Sequence, residues 1–262
     1  MCGVHTAFSS RSSGIRSPVL MRALQAETGI ENIVTYLDQV SSVFASPEYD
    51  AARRAIAGVA DRHADVIFNA SIDQLSYIER PTEPFPYFFP NEDILRDDSK
   101  HSDPGPRIVL HAPSSPIIKG TQVVRAAVQR LRAEGYEFDY REMSGVAHAE
   151  VLTALREAHI VLNEFYAFVP GVFGVEAMAS NCALLTRADE SIETSLPPGS
   201  NEAWIVTAAG DIYSELRALL EHPERIAPQA AAGRAWVEAH ATVSASGTRV
   251  RTILDSSVGD EL

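Results

Sequence analysis

At 262 residues and 45% hydrophobic content, the chain has room for one large domain or two small ones and the composition of an ordinary globular protein. Its formal net charge of −13 argues against a nucleic-acid partner or an anionic membrane surface, either of which needs clustered Lys and Arg. Two cysteines, Cys2 and Cys182, are too few and too separated for a disulfide framework or a metal site, so no metal is expected.

Taken from the N-terminus, MCGVHTAFSSRSS lacks the apolar stretch of a signal peptide, and no run approaches a membrane span. The cytoplasm is therefore the expected location. Helical spacing predicts helices over residues 32–45 and 48–64, a short strand over 65–68 and a helical turn within 71–78. The segment PTEPFPYFFP at residues 81–90 cannot be a helix, since its four prolines each remove a donor and restrict the residue before them. With the acidic, polar stretch that runs on to Pro106 it reads as a connection between domains.

From Arg107 onward strand and helix alternate, which implies an α/β, doubly wound parallel sheet with helices on both faces. Residues 108–112 form a continuous apolar run, as a central buried strand should. Val123, Val124, Ala127, Val128 and Leu131 recur at helical spacing, and Gly135 ends that helix. Residues 138–142 are a more polar strand and so belong nearer an edge. A helix over 149–158, a buried strand over 159–162, a helix over 174–180 and strands over 182–186 and 204–207 follow. Asp211 is placed to cap a helix ending near Glu221, Pro223 opens another that reaches His240, and residues 244–254 form a last one. Cys182 opens its strand as a small buried residue.

The most informative stretch is LNEFYAFVPGVFGVEAMAS at residues 162–180. It reads as a strand end, an aromatic loop, the turn Gly171-Val172-Phe173-Gly174 and a helix with Glu176 in its first turn. Such a turn leaves backbone N–H groups free at a helix N-terminus, where the donors and the helix dipole both favour phosphate. A carboxylate there repels phosphate but accepts hydrogen bonds from vicinal hydroxyls such as those of a ribose. Diphosphate beside ribose is the outline of a nucleotide-sugar. A second segment, IVLHAPSSPIIKG at residues 108–120, places Lys119-Gly120 after a Pro/Ser loop and before an amphipathic helix. Only Lys100 and Lys119 stand against twenty arginines, which draws attention to a lysine in that place.

These two segments together resemble the group 1 (retaining, GT-B) glycosyltransferases, and more closely the bacterial subset with HAPS…KGT followed by an aromatic loop ending in G-V-F-x-V-E-A-M-A. Ser144-Gly145-Val146-Ala147-His148 sits where that subset has a Gly-Val-Pro-His turn, and Trp236-Val237-Glu238-Ala239-His240 is similar to its late helix. The resemblance is good over residues 105–256, loose over 50–104 and faint before them, where HTAFSSRSSGIRSP is a poor match to a loop of His, Gly, Ser and Arg. It implies a Rossmann-like donor domain over residues 107–262, a connection over 91–106 and a partial, mostly helical acceptor-side region over 1–90. A full acceptor domain of comparable size does not fit in that remainder.

The resemblance also implies roles. Lys119 would hold the donor diphosphate as a point charge, and Glu176 would accept the ribose hydroxyls; these two are the catalytic candidates. Ser115, Gly120, Gly171, Val172, Phe173 and Gly174 would shape the donor seat, with Gly145 and Val146 against the nucleobase. Each has a plainer reading beside it: a surface lysine, a helix-start acid, turn glycines and an ordinary strand-to-helix turn. His111 reads as a packed or capping histidine, His148 as a helix-start residue, and Phe165, Tyr166, Phe168 and Phe173 as core. The sequence departs from the family at Phe168, where a first glutamate usually stands, with Asn163 or Glu164 left to fill that role, and at Pro116, where an arginine is common. No Gly-x-Ser-x-Gly elbow, Cys-x-x-Cys pair, zinc-type His-Glu motif or P-loop offers another chemistry.

The expected activity is transfer of a sugar from a nucleotide-diphosphate sugar to an unknown acceptor hydroxyl, with retention and no separate cofactor. The alternative is a non-catalytic or split-enzyme nucleotide-sugar-binding protein lacking a complete acceptor domain. The partners implied are the donor and the acceptor, with room left for a peripheral membrane or partner-subunit contact.

Overall fold

The computed structural model describes residues 7–9 and 15–259. Cys2, His5 and residues 10–14 of the N-terminal serine-rich stretch lie outside the described residues. In the N-terminal region β1 (Ala7–Ser9) pairs in parallel with β2 (Val66–Phe68), and α1 (Pro18–Thr28), α2 (Val34–Val40) and α3 (Pro47–His63) lie between them in the chain. The first of these helices was not among those expected, although its local signals are complete. Ser17 accepts from the Leu20 N–H as N-cap, Pro18 follows, and Gly29 stops the helix at φ 71°. The helix expected over residues 32–45 is broken. Ser41 turns extended and its hydroxyl accepts from the Val43 N–H, which starts a separate 3-10 turn, Ser42–Ala45. Within residues 71–78 a single turn forms, the Leu75 N–H donating to the Ile72 carbonyl at 3.2 Å, and a distant carboxylate takes the N–H groups before it, as described below.

The larger body is a five-stranded parallel sheet in the order β4-β3-β5-β6-β7. Its strands are β3 (Ile108–His111), β4 (Asp139–Glu142), β5 (Ile160–Leu162), β6 (Ala183–Thr186) and β7 (Ile205–Val206). Between and after them come α4 (Thr121–Ala133), α5 (His148–Glu157), α6 (Gly171–Ala179), α7 (Ile212–Glu221), α8 (Ile226–His240) and α9 (Val243–Gly259). Successive residues of the inner strands point to opposite faces. Val109, Ile160, Leu162, Ala183 and Leu185 enter one core with α4 and α7, while Leu110, Val161 and Leu184 enter the other with α5, α6 and α8. This two-sided burial is why the strands read as unbroken apolar runs, and it makes the sheet doubly wound. The polar strand β4 is at the edge, where half-exposed Asp139 and Arg141 are tolerated. Asp211 precedes α7 as expected but makes no side-chain cap bond.

Two features fasten the segment at residues 81–106 and the last helix to the rest of the structure. Lys100 donates to the carbonyls of Ala158 (2.6 Å) and Ser180 (2.7 Å), closing the C-terminal ends of α5 and α6 where the dipole favours a cation. Buried Cys182 donates to the same Ala158 carbonyl. After α8, Ala241 and Val243 exchange backbone hydrogen bonds with Phe89, and α9 returns across the N-terminal region onto β2.

Candidate functional site

Parallel topology gathers the loops after β3, β4 and β5 at the carboxyl end of the sheet, where open α/β sheets place ligands. Here those loops face the N-terminal region across a cavity of about 750 Å³. Ser115, Lys119, Gly145, Val146, Gly171, Val172, Phe173 and Glu176 all line it. The two catalytic candidates, from distant parts of the chain, thus share one cavity.

Lys119 ends the loop after β3, a tight turn in which its N–H donates to the Ser115 carbonyl at 3.0 Å. A cation just before a helix opposes the dipole of α4, and the structure offsets this with Glu164, whose carboxylate meets the Lys119 ammonium at 2.5 Å. Glu164 leaves the end of β5 and also lines the cavity. Of the two residues left open for the missing glutamate, Glu164 is therefore the one in the site. Asn163 turns away, donating to the Pro170 carbonyl and to Thr186. Phe168 is fully buried in the loop.

Helix α6 begins at Gly171, whose φ of 65° suits a residue without Cβ, and no side chain caps its first turn. Glu176 consequently falls in the second turn, a correction to the first-turn placement, because the expected turn is itself the first turn of the helix. Val172, at that open end, is 60% exposed. Tyr87 from the proline-rich segment lies near this end of the helix and lines the same cavity. Burial first, then the nearby carboxylates of Asp73 and Glu164, push the Tyr87 phenol above its usual range, so it stays protonated.

Glu176 accepts from Nε2 of His148 at 2.8 Å; its side chain is 10% exposed and that of His148 66%. His148 is the first residue of α5, as the sequence suggested, yet it also lines the cavity. The pair leaves the second oxygen of Glu176 able to accept from a ligand hydroxyl.

Gly120 and Gly174 do not line the cavity. Gly120 adopts φ 72°, and a Cβ there would lie 3.1 Å from the Tyr166 ring. A Cβ on Gly174 would meet Asn163 at 2.9 Å and Leu184 at 3.3 Å, so this glycine lets α6 approach the sheet. Both position the site from behind it. His111 is a core staple. Its Nδ1 must donate to the Leu162 carbonyl, its Nε2 then accepts from Thr121, and burial lowers its pKa, keeping it neutral.

Residues the sequence did not single out close the other wall. Asp73 takes the Arg16 guanidinium at 2.9 Å and the Phe168 N–H at 2.7 Å, so a carboxylate from the N-terminal region reaches the β5–α6 loop. Fully buried Glu193 accepts from the N–H groups of Ser71, Ile72 and Asp73 and from Ser195. Burial works against that charge, but these hydrogen bonds prevail and hold the Glu193 carboxyl below its usual range. No local pattern marks Glu193 or Asp73, since their partners lie far away in sequence. Among the described residues no cluster of His, Cys, Asp and Glu is placed to hold a metal ion. No helix among them is long and apolar enough to cross a membrane.

The model of the family described as "Glycosyl transferase-like" matches residues 114–255, more than half of the chain. A comparison with curated protein sequences finds no match. Among solved structures, the chain is similar to Anabaena HepE in complex with UDP-glucose, with TM-score 0.56 and 14% identity over 80% of this chain and 70% of that one. It is also similar to WaaG, a glycosyltransferase involved in lipopolysaccharide biosynthesis, with TM-score 0.55 and 12% identity over 82% and 71%. Sucrose-phosphate synthase from Thermosynechococcus elongatus gives TM-score 0.55 and 16% identity over 93% and 77%. At these identities the similarity concerns the fold.

Proposed function

Because the chain belongs to the glycosyl transferase-like family, we propose that it transfers a sugar from a nucleotide-diphosphate sugar bound in the cavity between the N-terminal region and the five-stranded sheet. The observation that carries this reading is that Lys119, the uncapped start of α6 and Glu176 open into one cavity. An ammonium and free main-chain N–H groups suit a diphosphate, and a partly buried carboxylate beside them suits a ribose. Gly145 and Val146, which line the same cavity, would then lie against the base. HepE, of the same fold, was crystallised with UDP-glucose.

In this proposal transfer proceeds with retention and without a protein nucleophile. Lys119 and the N–H groups of Val172 and Phe173 stabilise charge as it develops on the departing diphosphate, and the diphosphate helps deprotonate the acceptor hydroxyl. Glu164 holds the Lys119 side chain in place until the diphosphate arrives. Residues 107–262 act as the donor domain, 91–106 as the connection and 1–90 as the acceptor side, and no separate cofactor takes part.

Thermal shift with UDP, GDP and ADP tests the donor site. A nucleotide at a hundredfold above its Kd should stabilise the chain by about 2.7 kcal/mol. Lys119→Ala and Glu176→Ala should each weaken that binding, by about 1.5–3 kcal/mol where a charge-assisted bond is lost. No response to any of the three would remove the donor site. The small N-terminal sheet, two short strands among the described residues, favours a second reading, a nucleotide-sugar-binding protein without turnover. Release of nucleotide from UDP-sugars in the presence of candidate acceptors, measured over time, separates the two.

A further inference from the structure

The wall of the cavity formed by α8, α9 and the proline-rich segment holds a cation that the reading above does not use. Arg249 of α9 lines the cavity there together with His240, Trp236 and Pro84. The His240 ring packs 5.5 Å from that of Trp236 and lies within electrostatic reach of Arg249. The Nε of Arg249 is buried and has no hydrogen-bond partner, and no ion pair reaches the guanidinium among the described residues. Glu83 is near enough to be felt but does not close on it.

Arg249 is only partly buried, yet burial disfavours its charge and no acid among the described residues pairs with it, although cations drawn out of water are ordinarily paired. Lack of acids does not explain it, because this chain carries 35 Asp and Glu against 22 Lys and Arg. Nor is Arg249 part of the diphosphate seat, where Lys119 on the β3–α4 loop already meets Glu164. The Nε is closed off, so it is the Nη groups of this partly exposed guanidinium, on a cavity wall with apolar Trp236 and Pro84 beside it, that are suited to a carboxylate or phosphate oxygen pair.

We propose that Arg249 is a second anion seat, which receives an acidic group, a carboxylate or a phosphate monoester, carried by the acceptor. This rests on the donor reading above only for the word acceptor; the seat itself does not depend on it. The acceptor would then be a small hydroxyl compound bearing a negative charge, held at its acid by Arg249 while its hydroxyl faces the donor.

Calorimetric titration of the full chain, saturated with UDP and held at constant ionic strength with chloride, uses inorganic phosphate and acetate as probes. Saturable binding of one or both is expected, and the stronger of the two distinguishes phosphate from carboxylate. Arg249→Met should weaken that binding at least about tenfold, with Arg249→Lys retaining part of it and both variants keeping the wild-type circular dichroism. Binding that is absent in the wild type, or undiminished in Arg249→Met, overturns the proposal. If UDP itself does not bind, the donor reading fails separately, and the titration is run without it beside Lys119→Ala. A loss greater in Arg249→Met than in Lys119→Ala then supports the seat, and an equal or smaller loss overturns it.

Discussion

The two sides of the cavity are built by different physics. The sheet side rests on strands buried on both faces, so the loops carrying Lys119, Gly145 and Gly171 spring from a close-packed apolar scaffold. Among the described residues the N-terminal side has two strands of three residues each and a small core of Met21, Ile33, Val34 and Leu37. Besides the contacts of Tyr36 with Tyr166 and of Ile118 with that small core, it is fastened to the sheet side by buried charge: Arg16 to Asp73, Asp73 to the Phe168 N–H, and Glu193 to the turn at residues 71–73. Apolar packing is insensitive to pH and spread over many residues. A carboxylate hub is neither, so the geometry of the cavity depends on a few titratable groups.

That contrast can be broken from either side. The largest effect is expected from Leu110→Ala, which opens a void in the sheet core and should cost about 2–5 kcal/mol in denaturant unfolding, with the whole sheet domain losing cooperativity. Next comes Glu193→Gln, which turns an amide N–H toward donors that need an acceptor. It should cost about 1–3 kcal/mol and act locally: hydrogen exchange quickens at Ser71, Ile72 and Asp73 while Leu110 and Val161 stay protected. Equal deprotection of both regions would sink the idea of a separately fastened wall. Gly120→Ala adds a methyl 3.1 Å from the Tyr166 ring at a left-handed φ, and about 1–2 kcal/mol of destabilisation is expected from the backbone alone.

The smallest effect is the response to mild acid. His101, His111 and His159 all have pKa values lowered chiefly by burial, so the unfolded chain binds protons that the folded chain refuses. Their contribution is complete above the ordinary histidine pKa, about 6.5, and falls as pH drops below it. Glu193 acts at lower pH, because its lowered folded pKa gives stability present above the unfolded value, about 4.3, and lost as pH falls through the folded one. Thermal melts from pH 7 to 3 should therefore show a shallow decline followed by a steeper one. In Glu193→Gln the steep part should be reduced and the shallow part kept. A flat profile down to pH 5 would contradict neutral buried histidines.

Legibility differed between the same two regions. The strands at Ile108, Ile160 and Ala183 were readable because burial on both faces leaves a continuous apolar signature, and polar β4 announced its edge position. Lys119 and Glu176 were readable through the glycine turns and their neighbours. In the N-terminal region α1 has its Ser17-Pro18 start and Gly29 stop, but its apolar face is narrow, with Pro18 and Met21 its buried residues, so periodicity does not reveal it. Residues 171–174 read as a turn before the helix because glycines favour turns, yet Gly171 starts the helix and Gly174 packs within it.

The sequence by itself determined the alternating sheet, the anion-suited start of α6 and the residue types that face it, because period, turn chemistry and helix ends are local properties. Only the tertiary structure decided that Glu164 rather than Asn163 enters the cavity, that Asp73 reaches Phe168, that Glu193 fastens the opposite wall, and that the buried Nε of Arg249 is left without a hydrogen-bond partner. Those outcomes depend on which distant groups are buried together, and the cost of leaving a buried charge unmatched is set by its neighbours in space.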